Sequence, residues 1–104
     1  MERIEKLKEF LSANPADAFL RHALALEYIK AGNDSAAQQL FEQILSDDPA
    51  YIGSYYHLAK LLERNNRKEE ALMWYEKGMI AARQCNDTHA LNELRMAYED
   101  ISDE

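Results

Sequence analysis

The chain of 104 residues carries a net charge of −7, and half of it consists of Ala, Leu, Glu, Lys and Arg, which are strong helix formers. Val is absent and Thr occurs once, so the β-branched residues that favour strands are nearly missing and a sheet-based domain is excluded. The acidic balance argues against a nucleic-acid partner, because affinity for a phosphate backbone comes from clustered Lys and Arg. The length predicts one domain, residues 1–104.

The chain shows no signal of export. No apolar run approaches the roughly 18 residues of a membrane span, and the charged N-terminal segment lacks the apolar core of a signal peptide. The lone Cys85 cannot form an internal disulfide, which suits a reducing compartment. We therefore predict a cytoplasmic protein without a membrane partner.

A shift of 34 residues superimposes the chain on itself, which predicts a repeat architecture. The matches join identical or similar residues at positions that pack or end helices. They are Pro15 with Pro49, Leu24 with Leu58, Ala25 with Ala59, Tyr28 with Leu62, Gly32 with Asn66, Ala37 with Ala71 and Phe41 with Tyr75. Each unit, residues 15–49 and residues 50–85, is predicted to form two antiparallel helices.

The first helix of the chain, residues 3–13, has the pattern of the second helix of a repeat whose own first helix is absent. In each full repeat the first helix is predicted to begin at an N-cap, Asn14 or Asp48, with Pro at the first helical position. It is predicted to end at Gly32 or Asn66, the residue types that best tolerate the left-handed conformation.

The second helix of each repeat is predicted to begin near Asp34 or Arg67. A last helix, residues 87–101, has Asp87 as its cap and charged side chains away from its apolar seam. We predict that it forms a solvating C-terminal cap. The chain thus contains about six helices.

The period and several residues in their order and spacing together resemble the tetratricopeptide repeat (TPR). These residues are Leu24, Ala25, Tyr28, Gly32, Ala37, Phe41 and Pro49. Two full repeats, about 16–49 and 50–83, flanked by half repeats, carry the resemblance. The second copy departs from the pattern at Asn66 and Arg83, and the first at Arg21, where the family has a bulky apolar residue. The resemblance implies an all-α fold, a right-handed superhelical stack of antiparallel helix pairs.

The resemblance also implies a concave groove, lined by the first helix of each repeat, that binds a peptide segment of a partner protein. Helical phase then predicts the residues that line it. They are Phe19, His22, Leu26 and Lys30 in the first repeat, Tyr56, His57, Lys60 and Arg64 in the second, and Asn92 in the last helix. We predict an acidic ligand group against His57, Lys60 and Arg64, since the two cations lie one turn apart. We predict an apolar ligand side chain against Phe19 and Leu26.

The distribution of charge supports an acidic ligand. Residues 50–85 hold 6 basic and 4 acidic side chains, whereas the segments on either side are both acidic. Two alternatives remain open. Lys60 and Arg64 can form a solvated helix face, paired with Glu63 or with nothing. The chain can instead be a structural self-association module, a homodimer in which a second copy covers the exposed apolar face of the N-terminal helix. That face consists of Ile4, Leu7, Phe10 and Leu11.

Catalytic and metal-binding motifs are not found in the sequence. His22, His57 and His89 lie on three successive first helices with no two on one helix, so we predict groove residues rather than a zinc site. Family members that hold chaperone tails use a set of Lys, Arg and Asn on successive first helices. This chain has Leu26 and His22 where such a set needs Asn and Lys, and His57 where it needs a second Asn, so such tails are not expected partners. We predict a non-enzymatic protein-protein interaction module with no cofactor or metal, as a monomer or weak homodimer.

Overall fold

The computed structural model describes residues 2–103, and within that range it contains six α-helices and no strand. The helices are α1 (Glu2–Ala13), α2 (Ala18–Lys30), α3 (Asp34–Asp47), α4 (Gly53–Arg64), α5 (Lys68–Gln84) and α6 (Thr88–Ser102). The all-α prediction is confirmed. None of the helices in the described range has the length and apolar character needed to cross a bilayer.

The chain divides into two compact units between Asp48 and Pro49. In the first unit α2 packs against both α1 and α3, and in the second unit α5 packs against both α4 and α6. The middle helix of each unit is therefore covered on two sides. Short connections join the helices.

The apolar stripe of α1 is covered by α2. Ile4 and Leu7 are each 7% exposed and pack with Leu24 in one core cluster. Burial of such side chains stabilises the contact by about 1.5–3 kcal/mol each. Leu11 is half-buried against the same cluster, and Phe10 is 57% exposed. The predicted exposed apolar face is therefore wrong for Ile4 and Leu7, because α2 fills the place that a second copy was expected to fill.

The helix C-termini confirm the predicted stops. Gly32 has φ +80° and Asn66 has φ +63°, so both adopt the left-handed conformation just after α2 and α4. Asn86 does the same after α5 at φ +56°. Asp87 caps α6 as predicted, since its carboxylate accepts a hydrogen bond from the Ala90 amide at 3.0 Å.

The predicted N-caps of α2 and α4 are wrong. Asp17, rather than Asn14, caps α2 by accepting a hydrogen bond from the Leu20 amide at 3.0 Å. Helix α4 begins after Ile52 with no side-chain cap, so Asp48 does not serve there. Pro15 and Pro49 consequently lie in turns ahead of the helices, and not in their first turn.

Two side chains at matching repeat positions explain these turns. The buried Arg21 donates from Nη2 to the Ala16 carbonyl at 3.3 Å and from Nη1 to Asp47 Oδ2 at 2.9 Å. In the second unit the Tyr55 hydroxyl donates to the Pro49 carbonyl at 2.7 Å. Each fastens the turn that precedes its own helix. This contact is why the first repeat tolerates Arg at a position that otherwise requires a bulky apolar side chain.

Helix α5 lies very close to both of its neighbours at Gly78. A Cβ atom added to Gly78 would lie 2.7 Å from Tyr55 Cβ and 3.0 Å from Leu94 Cδ1. Both distances are below the 3.5–4.0 Å or so at which carbon atoms attract each other best. The absence of a side chain at Gly78 is therefore what lets α4 and α6 pack on α5 at this level.

Candidate functional site

One side of α4 brings together three of the predicted residues. The rings of Tyr56 and His57 meet at right angles with centroids 5.7 Å apart, and Lys60 Nζ lies 5.6 Å from the Tyr56 ring centroid. All three side chains are half-buried, and Arg64 follows one turn later as an exposed residue at the end of the helix. We call these four residues the α4 face.

The carboxylate of Glu63 is anchored by a buried tyrosine and lies within ion-pair distance of Lys60. Tyr75 on α5 is fully buried, and its hydroxyl donates a 2.6 Å hydrogen bond to Glu63 Oε2. Lys60 Nζ lies 3.6 Å from the same oxygen. The Tyr75 ring also meets Tyr56 edge-on, with centroids 6.4 Å apart. The Lys60–Glu63 pair considered as an alternative for Lys60 is thus present, and it belongs to a network that reaches the core of the unit.

Burial determines two protonation states near this face. Burial first, and the hydrogen bond to Glu63 second, raise the pKa of Tyr75 well above its ordinary value of 10, so its hydroxyl remains a donor. Burial lowers the pKa of His57 below its ordinary value of 6.5. At pH 7 His57 is therefore neutral, and the positive charge of the α4 face comes from Lys60 and Arg64.

The residues predicted on α2 share one side of that helix through their spacing. Phe19 is 70% exposed in the first turn, and Leu26 is half-buried two turns later. Between them the His22 ring meets the buried Phe41 edge-on, with centroids 5.5 Å apart. The exposed Phe19 ring is the large apolar surface on this side of α2.

Lys30 and Asn92 make contacts within their own surroundings. Lys30 Nζ lies 3.3 Å from Glu27 Oε2, and Arg3 Nε lies 3.2 Å from the same oxygen. Asn92 accepts a hydrogen bond from Arg95 Nη1 at 3.4 Å on the exposed side of α6. Lys30 is therefore part of an ion cluster that joins α1 to α2.

No group of three or more His, Cys, Asp or Glu suited to a metal ion occurs among residues 2–103. His89 lies on α6 with its Nε2 3.7 Å from Glu93 Oε2, and Cys85 is exposed at the end of α5.

The anchoring role of Glu63 and Tyr75 was not predicted from the sequence. The repeat register nevertheless contains a signal for it. Glu63 stands where the first repeat has Ile29, and Tyr75 stands where it has Phe41. An acid and a hydroxyl thus appear together at two positions that are both apolar in the other copy. Such a paired change indicates a contact between the two side chains.

Comparison with known proteins identifies the repeat. A family model of the tetratricopeptide repeat matches residues 28–93. A tetratricopeptide repeat domain protein from Salinibacter ruber is 42% identical in its crystal structure, with a TM-score of 0.78 over 83% of this chain and 96% of that chain. Its solution structure gives a TM-score of 0.81 over 84% and 88% at the same identity. No curated protein matches the chain.

More distant structures share the fold. A protein from Bordetella parapertussis is 24% identical, with a TM-score of 0.82 over 95% of this chain and 86% of that chain. The first TPR of Spaghetti (RPAP3), solved bound to the HSP90 peptide SRMEEVD, is 20% identical, with a TM-score of 0.74 over 95% and 77%. The predicted helical-repeat fold is confirmed, and the chain belongs to the tetratricopeptide repeat family.

Proposed function

We propose that the chain is a non-enzymatic protein-interaction module whose α4 face binds an acidic group of a partner peptide. The tetratricopeptide repeat fold generally mediates interactions between proteins. What is specific to this chain is the chemistry of the side chains that its helices present.

The observation that carries the proposal is the position of Lys60 on the α4 face. Its ammonium lies over the Tyr56 ring, and Arg64 follows one helical turn away. Two cations at that spacing can both reach one carboxylate or a pair of neighbouring carboxylates. The aromatic ring beside them partly excludes water, which strengthens a charge-assisted hydrogen bond. The positive balance of residues 50–85 in an otherwise acidic chain favours the same class of ligand.

The α2 side offers a separate contact for an apolar side chain of the partner. Phe19 is 70% exposed, and Leu26 lies on the same side of the helix. Burying an exposed aromatic ring of this kind contributes to binding in proportion to the apolar area removed from water. We therefore propose that this side of α2 binds an apolar residue of a partner, as a contact separate from the α4 face.

The neighbour bound to SRMEEVD supports the proposal at the level of the fold, since the peptide in that structure contains acidic and apolar residues. The residues proposed for this chain come from its own α4 face. A short peptide covers less area than a standard protein interface. We therefore expect a dissociation constant in the micromolar range, which corresponds to a binding free energy of about −8 kcal/mol.

Isothermal titration calorimetry with the capped hexapeptide LEELEE tests the proposal, and the uncharged capped peptide LQQLQQ serves as the control ligand. We expect binding of LEELEE alone, and a loss of at least about tenfold in affinity on Lys60→Ala with Arg64→Ala, because each cation makes a charged hydrogen bond. The matched control is Lys77→Ala with Arg83→Ala, which removes two cations from α5. Equal affinity in the two double variants would refute the proposed face.

Self-association through α1 is a second candidate function, and one observation favours it. Phe10, 57% exposed, borders a cavity of about 420 Å³ that Arg3, Lys6 and Leu7 also line. At the matching position of the first repeat, Ile44 is fully buried. Light scattering across a concentration range tests this candidate. A dimer that Phe10→Ser converts to monomer would favour it, and a monomer at every concentration would exclude it.

A further inference from the structure

We infer that Glu63 is a built-in competitor for Lys60, so that the α4 face selects partner segments with two or more neighbouring carboxylates over segments with one. This inference rests on the proposed function, because it describes how the same face distinguishes between acidic ligands.

Glu63 is better placed than an ordinary surface carboxylate to form an ion pair with Lys60. Its Oε2 atom accepts the 2.6 Å hydrogen bond from the buried Tyr75 hydroxyl, which fixes the carboxylate beside α4. Lys60 Nζ lies 3.6 Å from that oxygen, and the side chain of Glu63 is 25% exposed. A fixed carboxylate loses less conformational entropy on pairing than a mobile one, so its ion pair persists in the free protein.

The first repeat has no counterpart of this arrangement. The residues that match Lys60, Glu63 and Tyr75 there are all apolar, namely Leu26, Ile29 and Phe41. A buried tyrosine hydroxyl needs an acceptor, and an uncharged side chain would satisfy that need. The second repeat instead has an acid, placed against the one lysine of its own helix that carries the proposed ligand contact. The charge of Glu63 is therefore not required by Tyr75, and it lies 3.6 Å from the ammonium of Lys60.

The competition follows from the ion pairs that are broken and formed when a ligand carboxylate replaces Glu63 at Lys60. A ligand with one carboxylate that takes Lys60 replaces one ion pair by another and leaves Glu63 without its cation. Such an exchange has little net electrostatic gain. A ligand with neighbouring carboxylates presents more negative charge than Glu63 does, so one carboxylate can replace Glu63 at Lys60 while the next pairs separately with Arg64. Clustered acids therefore gain more from this face than single ones.

Glu63→Gln tests the inference, because Gln keeps an acceptor for Tyr75 and removes the charge. We expect the affinity for LEELEE to rise about two- to fivefold, the range that exposed ion pairs contribute. The advantage of LEELEE over the singly acidic capped peptide LEQLQQ should shrink in the same variant. The control is Glu76→Gln, which makes the same charge change at an exposed position of α5.

A second variant keeps the test decisive if Glu63→Gln weakens the fold. Glu63→Ile with Tyr75→Phe installs the apolar pair that the first repeat has at these positions, and it should raise the affinity for LEELEE by the same factor. Equal or weaker binding in both Glu63 variants than in Glu76→Gln overturns the inference and leaves the proposed function intact. Failure of every protein, wild type included, to bind LEELEE overturns both.

Discussion

Gly78→Ala is the substitution whose effect the packing of the second unit determines most directly. The new methyl group would lie 2.7 Å from Tyr55 Cβ and 3.0 Å from Leu94 Cδ1. Tyr55 Cβ is attached to the α4 backbone, so no change of rotamer can relieve that contact. The helices must separate by about 1 Å to restore an ordinary carbon–carbon distance.

Two opposing effects determine how much Gly78→Ala changes the free energy of unfolding. Ala in a helix interior is favoured over Gly by about 1 kcal/mol. Overpacking of a filled core typically costs about 1–3 kcal/mol. We place Gly78→Ala at the upper end, since the clash involves backbone-linked atoms of α4 and a side chain of α6. The expected net loss is about 2 kcal/mol of the free energy of unfolding.

Urea denaturation followed by circular dichroism at the helical band measures this loss. The midpoint should fall while the slope with denaturant remains unchanged, because the surface exposed on unfolding is nearly the same. The control is Glu76→Ala on an exposed position of α5, expected within about 0.5 kcal/mol of wild type. A Gly78→Ala protein as stable as wild type, or more stable, would show that α5 does not pack as closely as described.

Three further predictions follow from single contacts. Asp47→Ala leaves the buried Arg21 guanidinium without its carboxylate and should lower the free energy of unfolding, measured by urea denaturation, by about 1–3 kcal/mol. Arg21→Met removes the charge itself and should lower it less. The reverse order would contradict the pairing. The lowered pKa of His57 means that the unfolded chain takes up this proton first, so stability present above pH 6.5 is lost as the pH falls towards the folded-state pKa. The melting temperature of His57→Gln should therefore change less with pH over that range than the melting temperature of wild type. An equal change in the two proteins would count against burial of the ring. The raised pKa of Tyr75 gives stability that is present below pH 10 and lost as the pH rises above it, so Tyr75→Phe should lose less stability on that limb than wild type; equal losses would contradict the buried hydrogen bond.

The repeat and its stops were predictable because each depends on local chemistry. Gly32 and Asn66 end their helices since few other residues reach positive φ without strain, and that preference needs no knowledge of tertiary contacts. The buried stripe of the helices was visible from spacing for the same reason. Leu24 and Leu58 both lie in the core at the matching positions that the 34-residue shift indicates.

The N-termini of α2 and α4 were not predictable, because their positions depend on contacts made later in the chain. Asn14 and Asp17 are both good caps within one turn, and Arg21 decides between them by holding the Ala16 carbonyl in the preceding turn. In the second unit the Tyr55 hydroxyl fastens the Pro49 carbonyl in the same way, and α4 begins without a side-chain cap.

The candidate site shows the same division between local and distant information. Helical phase predicted that Tyr56 and Lys60 share one side of a helix, and the structure places them in contact. The bond from Tyr75 to Glu63 joins two helices across 12 residues of sequence, so neither residue shows it alone. Comparison of the two repeats position by position reveals it, since both members differ together from their apolar counterparts.

Mapping of the binding surface tests the central claim most directly. We would titrate ¹⁵N-labelled protein with LEELEE and follow the backbone amide resonances. We expect the largest shifts at Tyr56, His57, Lys60 and Arg64, and we expect Lys60→Ala with Arg64→Ala to abolish them. Shifts confined to other helices, or shifts that persist in that double variant, would contradict binding at the α4 face.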